Sequence, residues 1–199
     1  MSFFLVLLFA GSLSASKAPS KYAVTGPQLN AKLLKLFPNI IDQPNEQVAV
    51  ANEETEITAL QYAIKYLGLA DVRAVLALDN IDPNFPSDYL PLRLAIEMAG
   101  ASPRGDVEVI RALLQAGANP NGADDEGKTQ LIHAAEQDFN TAEMIKILLD
   151  SKASLTDALR RTKPNSSIRS KLSGYLPNAA STASTASASA SASAQKKGK

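Results

Sequence analysis

One short passage recurs three times along the chain: Asn80-Ile81-Asp82-Pro83-Asn84, Gly117-Ala118-Asn119-Pro120-Asn121 and, more loosely, Lys152-Ala153-Ser154-Leu155-Thr156, at offsets of 37 and 35 residues. Self-similarity at a period of about 20–50 residues is the mark of a repeat array. Twelve residues before each passage stands Gly68, Gly105 or Asn140, a residue type that tolerates positive φ and suits a tight turn between helices. An apolar helix is expected after each turn, carried by Val72, Val75 and Leu76, by Val109, Ile110, Leu113 and Leu114, and by Met144, Ile145, Leu148 and Leu149. A shorter helix precedes each turn, around Leu60-Gln61-Tyr62, Leu92-Arg93-Leu94 and Leu131-Ile132-His133.

These residues resemble the ankyrin repeat. Asp124-x-x-Gly127-x-Thr129-x-Leu131 carries the entry turn, and Glu108-Val109-Ile110 with Leu113-Leu114 and Gly117-Ala118-Asn119-Pro120-Asn121 carries the second helix and its exit. The resemblance implies an all-α solenoid of helix pairs with β-hairpin or turn loops and helical caps. It also implies a non-catalytic protein-binding function through hairpin tips and the concave face. Three repeats are expected over residues 58–157. The chain departs from the pattern at Thr58-Ala59, Leu90-Pro91 and Thr129-Gln130, where Thr-Pro is expected, and at Gln61, Arg93 and Ile132, where the family carries His. The turn at 85–88 lacks Asp-x-x-Gly, and residues 99–104 are additional.

So few repeats need capped ends, because a helix pair alone cannot bury its apolar face. A helix over 27–37, with Leu29, Leu33, Leu36 and Phe37 on one face and Pro27 in its first turn, is expected to close the N-terminal end. Residues 39–57 read as a long polar loop within an N-terminal linker and capping region, 19–57. At the other end, 158–177 reads as a C-terminal cap. It holds Leu159, Ile168 and Leu172 as apolar contacts, and Arg160, Arg161, Lys163, Arg169 and Lys171 to neutralise the acidic last repeat. Residues 178–199 are Ala/Ser/Thr-rich and offer no large apolar side chain to offset the entropy of ordering, so disorder is expected there.

Residues 1–18 read as a secretory signal peptide: an apolar run at 3–10, then small residues with cleavage after Ser14, Ser16 or Ala18, although no positive charge precedes the run. The run is shorter than the roughly 20 residues that span a bilayer. The expected location is therefore secreted or periplasmic, with an uncleaved membrane anchor or a buried N-terminal helix as the alternatives.

Among the 199 residues there is no Cys, which excludes disulfides, thiolate zinc sites and a cysteine nucleophile. The net charge of zero hides a segregation. All 20 acidic residues lie between Asp42 and Asp157, together with eight basic ones, so that segment carries −12. Such a body disfavours nucleic acid and anionic lipid and favours a basic protein partner. Solubility alone would also account for it. Membrane contact is left to an uncleaved N-terminus or the basic ending Lys196, Lys197 and Lys199.

The only histidine, His133, reads either as a general base or metal ligand, or as an exposed contact residue on the concave side. One His without Cys leaves only carboxylates to complete a metal site. Asp124, Asp125 and Glu126 lack the spaced oxygen ligands of a calcium loop. Asp124 reads as a turn former, with Asp125 and Glu126 as solvated tip charges. Gly127-Lys128-Thr129 lacks the upstream glycine of a phosphate loop, and Asn165-Ser166-Ser167 fits a glycosylation acceptor. No cofactor, small-molecule substrate or catalytic residue is expected. Tyr and Arg are enriched at binding hot spots; Tyr62 and Tyr89 are expected on the concave surface, while Tyr66 divides between exposure and core packing. The expected contact residues are Tyr62, Asp88, Tyr89, Arg93, Glu97, Asp125, Glu126, Lys128, His133 and Glu136. Rival readings are a periplasmic inhibitor or immunity protein, an enzyme accessory or small hydrolase built on His133, and a membrane-surface structural protein.

Overall fold

A computed structural model describes residues 29–51, 53–86 and 89–176. Its elements are α1 (Ala31–Leu36), β1 (Gln47–Val48), β2 (Ile57–Thr58), α2 (Ala59–Tyr66), α3 (Leu69–Leu76), α4 (Pro91–Gly100), α5 (Glu108–Gln115), α6 (Gln130–Glu136), α7 (Thr141–Asp150), α8 (Leu155–Arg161) and α9 (Ser167–Ser173). The chain is all-α, and its helices stack as pairs: α2 with α3, α4 with α5, α6 with α7, and α8 with α9. The first helices pack in the order α2, α4, α6 and the second helices in the order α3, α5, α7. Helices of seven to ten residues are too short to persist alone, so their stability comes from the shared core. Val72, Val75, Ile96, Ile110, Leu113, Leu131, Met144, Ile145 and Leu148 are at its centre.

The recurring exits share one backbone device. Asn80, Gly117 and Lys152 all have positive φ, at 62°, 96° and 70°. After α5 the Ala118 N–H donates to the Leu113 carbonyl (2.9 Å) and Gly117 N–H to Leu114 (3.1 Å). After α7 the Ala153 and Lys152 N–H groups do the same to Leu148 (2.9 Å) and Leu149 (3.0 Å). A left-handed residue closing two orphan carbonyls is the usual helix stop. Of the intervening turns, Gly68 (φ 128°) and Asn140 (φ 55°) use the expected left-handed conformation. Gly105 does not. It is glycine because a Cβ there would strike the backbone of Ala99. The extra residues at 99–104 lengthen α4 to 10 residues, against 8 in α2 and 7 in α6. They are then held by the next turn: the Asn140 amide donates to the Ala99 (2.8 Å) and Ser102 (3.1 Å) carbonyls.

Successive pairs are joined by a ladder of asparagines. Asn45 donates to the Asn80 carbonyl (2.9 Å) and accepts from the Asp82 N–H (2.9 Å). Asn84 makes the same pair of bonds to Gly117 (3.0 Å) and Asn119 (2.7 Å). Asn121 makes them to Lys152 (3.2 Å) and Ser154 (2.7 Å). Each rung therefore grips the left-handed residue of the next exit. The matching position in the last exit is Thr156, which has no carboxamide to continue the ladder. The hairpins keep the same register. Two residues beyond Asn45, Gln47 pairs with Thr58; two beyond Asn121, Ala123 pairs with Thr129. Residues 39–57 are thus not simply a loop, because β1 and β2 pair within them as an enlarged version of the later hairpin.

The ends are capped by helices. The N-terminal helix begins at Ala31, where the Asn30 side chain accepts from the Lys32 N–H (2.9 Å); Pro27 is outside the described residues. Leu33, Phe37 and Ile40 are buried there. At the C-terminal end α8 and α9 pack on α6, with Leu159 and Leu172 buried and Ile168 partly so. The basic residues there act differently from the sequence expectation. Arg160 and Arg161 pair with Asp157 of their own helix, and Arg161 also reaches the Gly127 carbonyl (3.1 Å). Arg169 caps the end of α8 at the Leu159 and Thr162 carbonyls, and Lys171 caps the end of α6 at Ala135 (2.9 Å). Cations are favoured at these carbonyl ends. The expected signal peptide, most of the linker before α1 and the Ala/Ser/Thr-rich tail lie outside the described residues. Among the described residues no helix is long and apolar enough to cross a membrane.

Asn121→Ala removes both bonds of one rung at an exposed site and is expected to cost about 1–2 kcal/mol in urea unfolding. Gln115→Ala, on the exposed side of α5, should change stability by less than about 0.5 kcal/mol. Equal costs for the two would show that the ladder does not hold the repeats together.

Candidate functional site

The hairpin before α6 is built on Asp124. Its N–H donates to the Lys128 carbonyl (3.1 Å), its carbonyl accepts from Gly127 N–H (2.9 Å), and Oδ1 accepts from Lys128 N–H (2.8 Å). Gly127 supplies the positive φ (76°) that closes the turn. The turn role expected for Asp124 is therefore present. The same carboxylate also does what the sequence reading missed. Its Oδ2 lies 2.9 Å from His133 Nε2 and 3.5 Å from an Arg93 guanidinium nitrogen, which makes it the hub between α4, the hairpin and α6.

Burial, the largest single influence, pushes the Asp124 carboxyl up. The Lys128 N–H, His133 and Arg93 together outweigh it and hold the group below the ordinary aspartate value of 3.8. An ionised carboxylate only accepts hydrogen bonds, so His133 carries its proton on Nε2. The other ring nitrogen faces Glu136 at 3.8 Å. Lys128 bridges Glu136 and Glu126, at 3.3 Å each, and these two carboxylates raise its pKa. On the other side Arg93 donates to Glu97 (2.9 Å) and lies over the Tyr89 ring, 4.8 Å from its centroid.

Seven of the ten expected contact residues therefore meet around Asp124: Tyr89, Arg93, Glu97, Glu126, Lys128, His133 and Glu136. Asp125 stands exposed at the rim of the adjoining cleft, and Asp88 is outside the described residues. Two side chains are not where exposure was expected. Tyr62 is only 3% accessible, edge-on to Phe37 (centroids 5.9 Å apart) and tilted against Tyr66 (5.0 Å). His133 is only 4% accessible beneath Asp124. Both stand four residues after the N-cap threonine of their helix, Thr58 or Thr129. Side chains on a helix lean toward its N-terminus; there the α1 cap covers one, and the hairpin the other. Tyr66 is the exposed member of the tyrosine pair (44%), its hydroxyl bonded to Glu53.

Two depressions flank the Tyr89–Arg93 stack. A groove of about 470 Å³ lies between the β1–β2 hairpin and α4 and holds Glu53, Glu54, Glu56 and Glu97 against Lys65, with Leu94 and Met98 beside them. A cleft of about 430 Å³ lies on the opposite flank, lined by Pro86, Leu90, Arg93, Ala123, Asp124, Asp125, Glu126 and Gln130. Among the described residues no three His, Asp or Glu side chains converge as metal ligands. His133 is held by its Nε2 contact to Asp124 (2.9 Å), which orients the ring, while Glu136 lies 3.8 Å from the other nitrogen. The Gly127-Lys128-Thr129 string does not face a phosphate site: Lys128 is tied to two carboxylates, and Thr129 is buried at the start of α6.

The family model described as "Ankyrin repeat" matches residues 88–125, which span α4, α5 and the start of the Asp124 hairpin. Repeats of this family generally mediate protein–protein interaction and are typically non-catalytic. No solved structure matches the chain.

Asp124→Ala leaves His133 buried without its acceptor and is expected to cost about 2–4 kcal/mol. Because the folded pKa of Asp124 lies below its unfolded one, the unfolded chain binds more protons in the acid range. The stabilisation is complete above the ordinary value of 3.8 and is lost as pH falls through the lowered folded value. Asp124→Asn should therefore flatten the acid side of the stability–pH curve, measured by urea unfolding from neutral pH down to well below 3.8. An unchanged slope would remove Asp124 from the role of hub.

Proposed function

We propose that the chain, whose stacked helix pairs and family match over 88–125 fit an ankyrin-repeat protein, acts without catalysis as a binding module for a basic protein partner. The contact surface is the Tyr89–Arg93 stack together with the acidic depressions on either side of it. The observation that carries this reading is the network around Asp124. It locks side chains from α4, the hairpin and α6 into one arrangement, so that little side-chain entropy is lost on association. Tyr89 is 45% exposed beside that locked network and offers the aromatic area typical of a hot spot. The charges give the sign of the partner. The groove has four carboxylates against one lysine, and the cleft three against one arginine. Acidic surface of this kind speeds the encounter with a basic partner and penalises acidic ones.

Pull-downs with the wild type, Tyr89→Ala and Asp125→Lys test the surface. Both variants should retain the circular dichroism of the wild type and lose most of the captured partner. Capture unchanged by both substitutions would place the interface elsewhere. For a captured partner, raising salt from 50 to 500 mM should slow association by about tenfold or more, while a salt-independent rate would exclude electrostatic steering.

We also propose that the protein acts after export, a reading supported by the apolar run at 3–10 and the small residues that follow. N-terminal sequencing of protein recovered from outside the cytoplasm should give a start between residues 15 and 19. An intact Met1 there would favour the membrane-anchored alternative.

A further inference from the structure

We propose that the cleft lined by Gln130 receives a single arginine side chain of the partner, an assignment that rests on the protein-binding reading above and names its anchor. Gln130 is 1% accessible, and its Nε2 donates to the Gly122 carbonyl (3.2 Å), which fixes the orientation of the carboxamide. The remaining atom, Oε1, is buried and has no hydrogen-bond partner among the described residues. A buried carbonyl left in this way favours any donor that can reach it. Gln130 stands where the repeat pattern carries proline, as Pro91 does at the start of α4. The acceptor is therefore a property of this chain and not of the repeat.

The rest of the cleft selects the donor. Asp124 is already occupied by Lys128 N–H, His133 and Arg93, and Glu126 is shared with Lys128, which leaves Asp125 foremost at the rim with Glu126 beside it. With three carboxylates and one guanidinium the lining carries −2. Arg93 does not block a cation, since its own donors are directed to Glu97 and Asp124. Pro86, Leu90 and Ala123 give apolar wall for a side-chain stem. A buried acceptor and separate rim carboxylates suit a planar fork of five N–H groups, which can meet both at once. A lysine ammonium is a compact, strongly hydrated point charge and gives up more water to reach the buried acceptor.

The test titrates the 15N-labelled full chain with N-acetyl-arginine amide, its uncharged isostere N-acetyl-citrulline amide, and N-acetyl-lysine amide. Arginine amide should produce saturable shifts at the Gln130 side-chain amide and at the backbone amides of 122–127. It should bind about tenfold more tightly than the citrulline compound, and more tightly than the lysine compound. Gln130→Met keeps the length and removes the acceptor; it should weaken arginine binding about tenfold, the 1.4 kcal/mol of one charge-assisted bond. If that variant fails to fold, Asp125→Asn takes its place and should weaken arginine at least threefold. Equal citrulline affinity, tighter lysine binding, shifts scattered over the acidic surface, or indifference to these substitutions would each overturn the assignment. A partner whose capture depends on Tyr89 but not on Gln130 would overturn the cleft and leave the binding reading standing. Arginine binding here with no partner captured by the wild type would do the reverse.

Discussion

No helix among the described residues is longer than ten residues, whereas an isolated helix in water needs about 12–15 to be even marginally populated. Every element here depends on its neighbours for that reason, and the contacts between successive helix pairs are the structure. Apolar burial supplies most of the attraction but little direction. Direction comes from the asparagine ladder, in which Asn45, Asn84 and Asn121 each grip the left-handed residue of the following exit by its carbonyl and then the N–H two residues on. The grip is made to backbone, so it sets the spacing of the pairs without regard to the side chains around it.

The candidate site follows from the same geometry. Stacking places α2, α4 and α6 side by side, with a hairpin leading into α2 and another into α6. Residues far apart in sequence, such as Arg93 and Asp124, then face each other across the interface between repeats. Asp124 can serve both its own turn and its neighbours because its two oxygens divide the work: Oδ1 takes the backbone N–H, and Oδ2 takes His133 and Arg93. Tyr89 is held over Arg93 by that arrangement. A surface so constrained has little freedom left to lose on binding, which is what distinguishes it from the more loosely tied charges at the hairpin tip.

Much of this was legible in residues whose chemistry is local. Gly117 and the Asn-Pro-Asn string announce a helix stop. Gly68 and Asn140 announce left-handed turns. What was not legible depends on what lies opposite. Gly105 reads as a turn glycine like Gly68, but its conformation is ordinary and its missing Cβ makes room for Ala99. Arg169 and Lys171 read as counter-ions for acidic neighbours; they are drawn instead to helix-end carbonyls that no sequence displays. Tyr62 and His133 read as surface residues at the start of helices, but the N-terminal cap covers Tyr62 and the Asp124 hairpin covers His133.

The sequence by itself determined the repeat, its period, the helix stops and the acidic character of the body, because each rests on the chemistry of residues close together in the chain. Only the tertiary structure decided which charges meet. It made Asp124 a hub as well as a turn former, buried His133 beneath it, and left Gln130, which lines a cleft, with an unmatched buried carbonyl. Those outcomes depend on distances between neighbouring repeats, which no local pattern encodes.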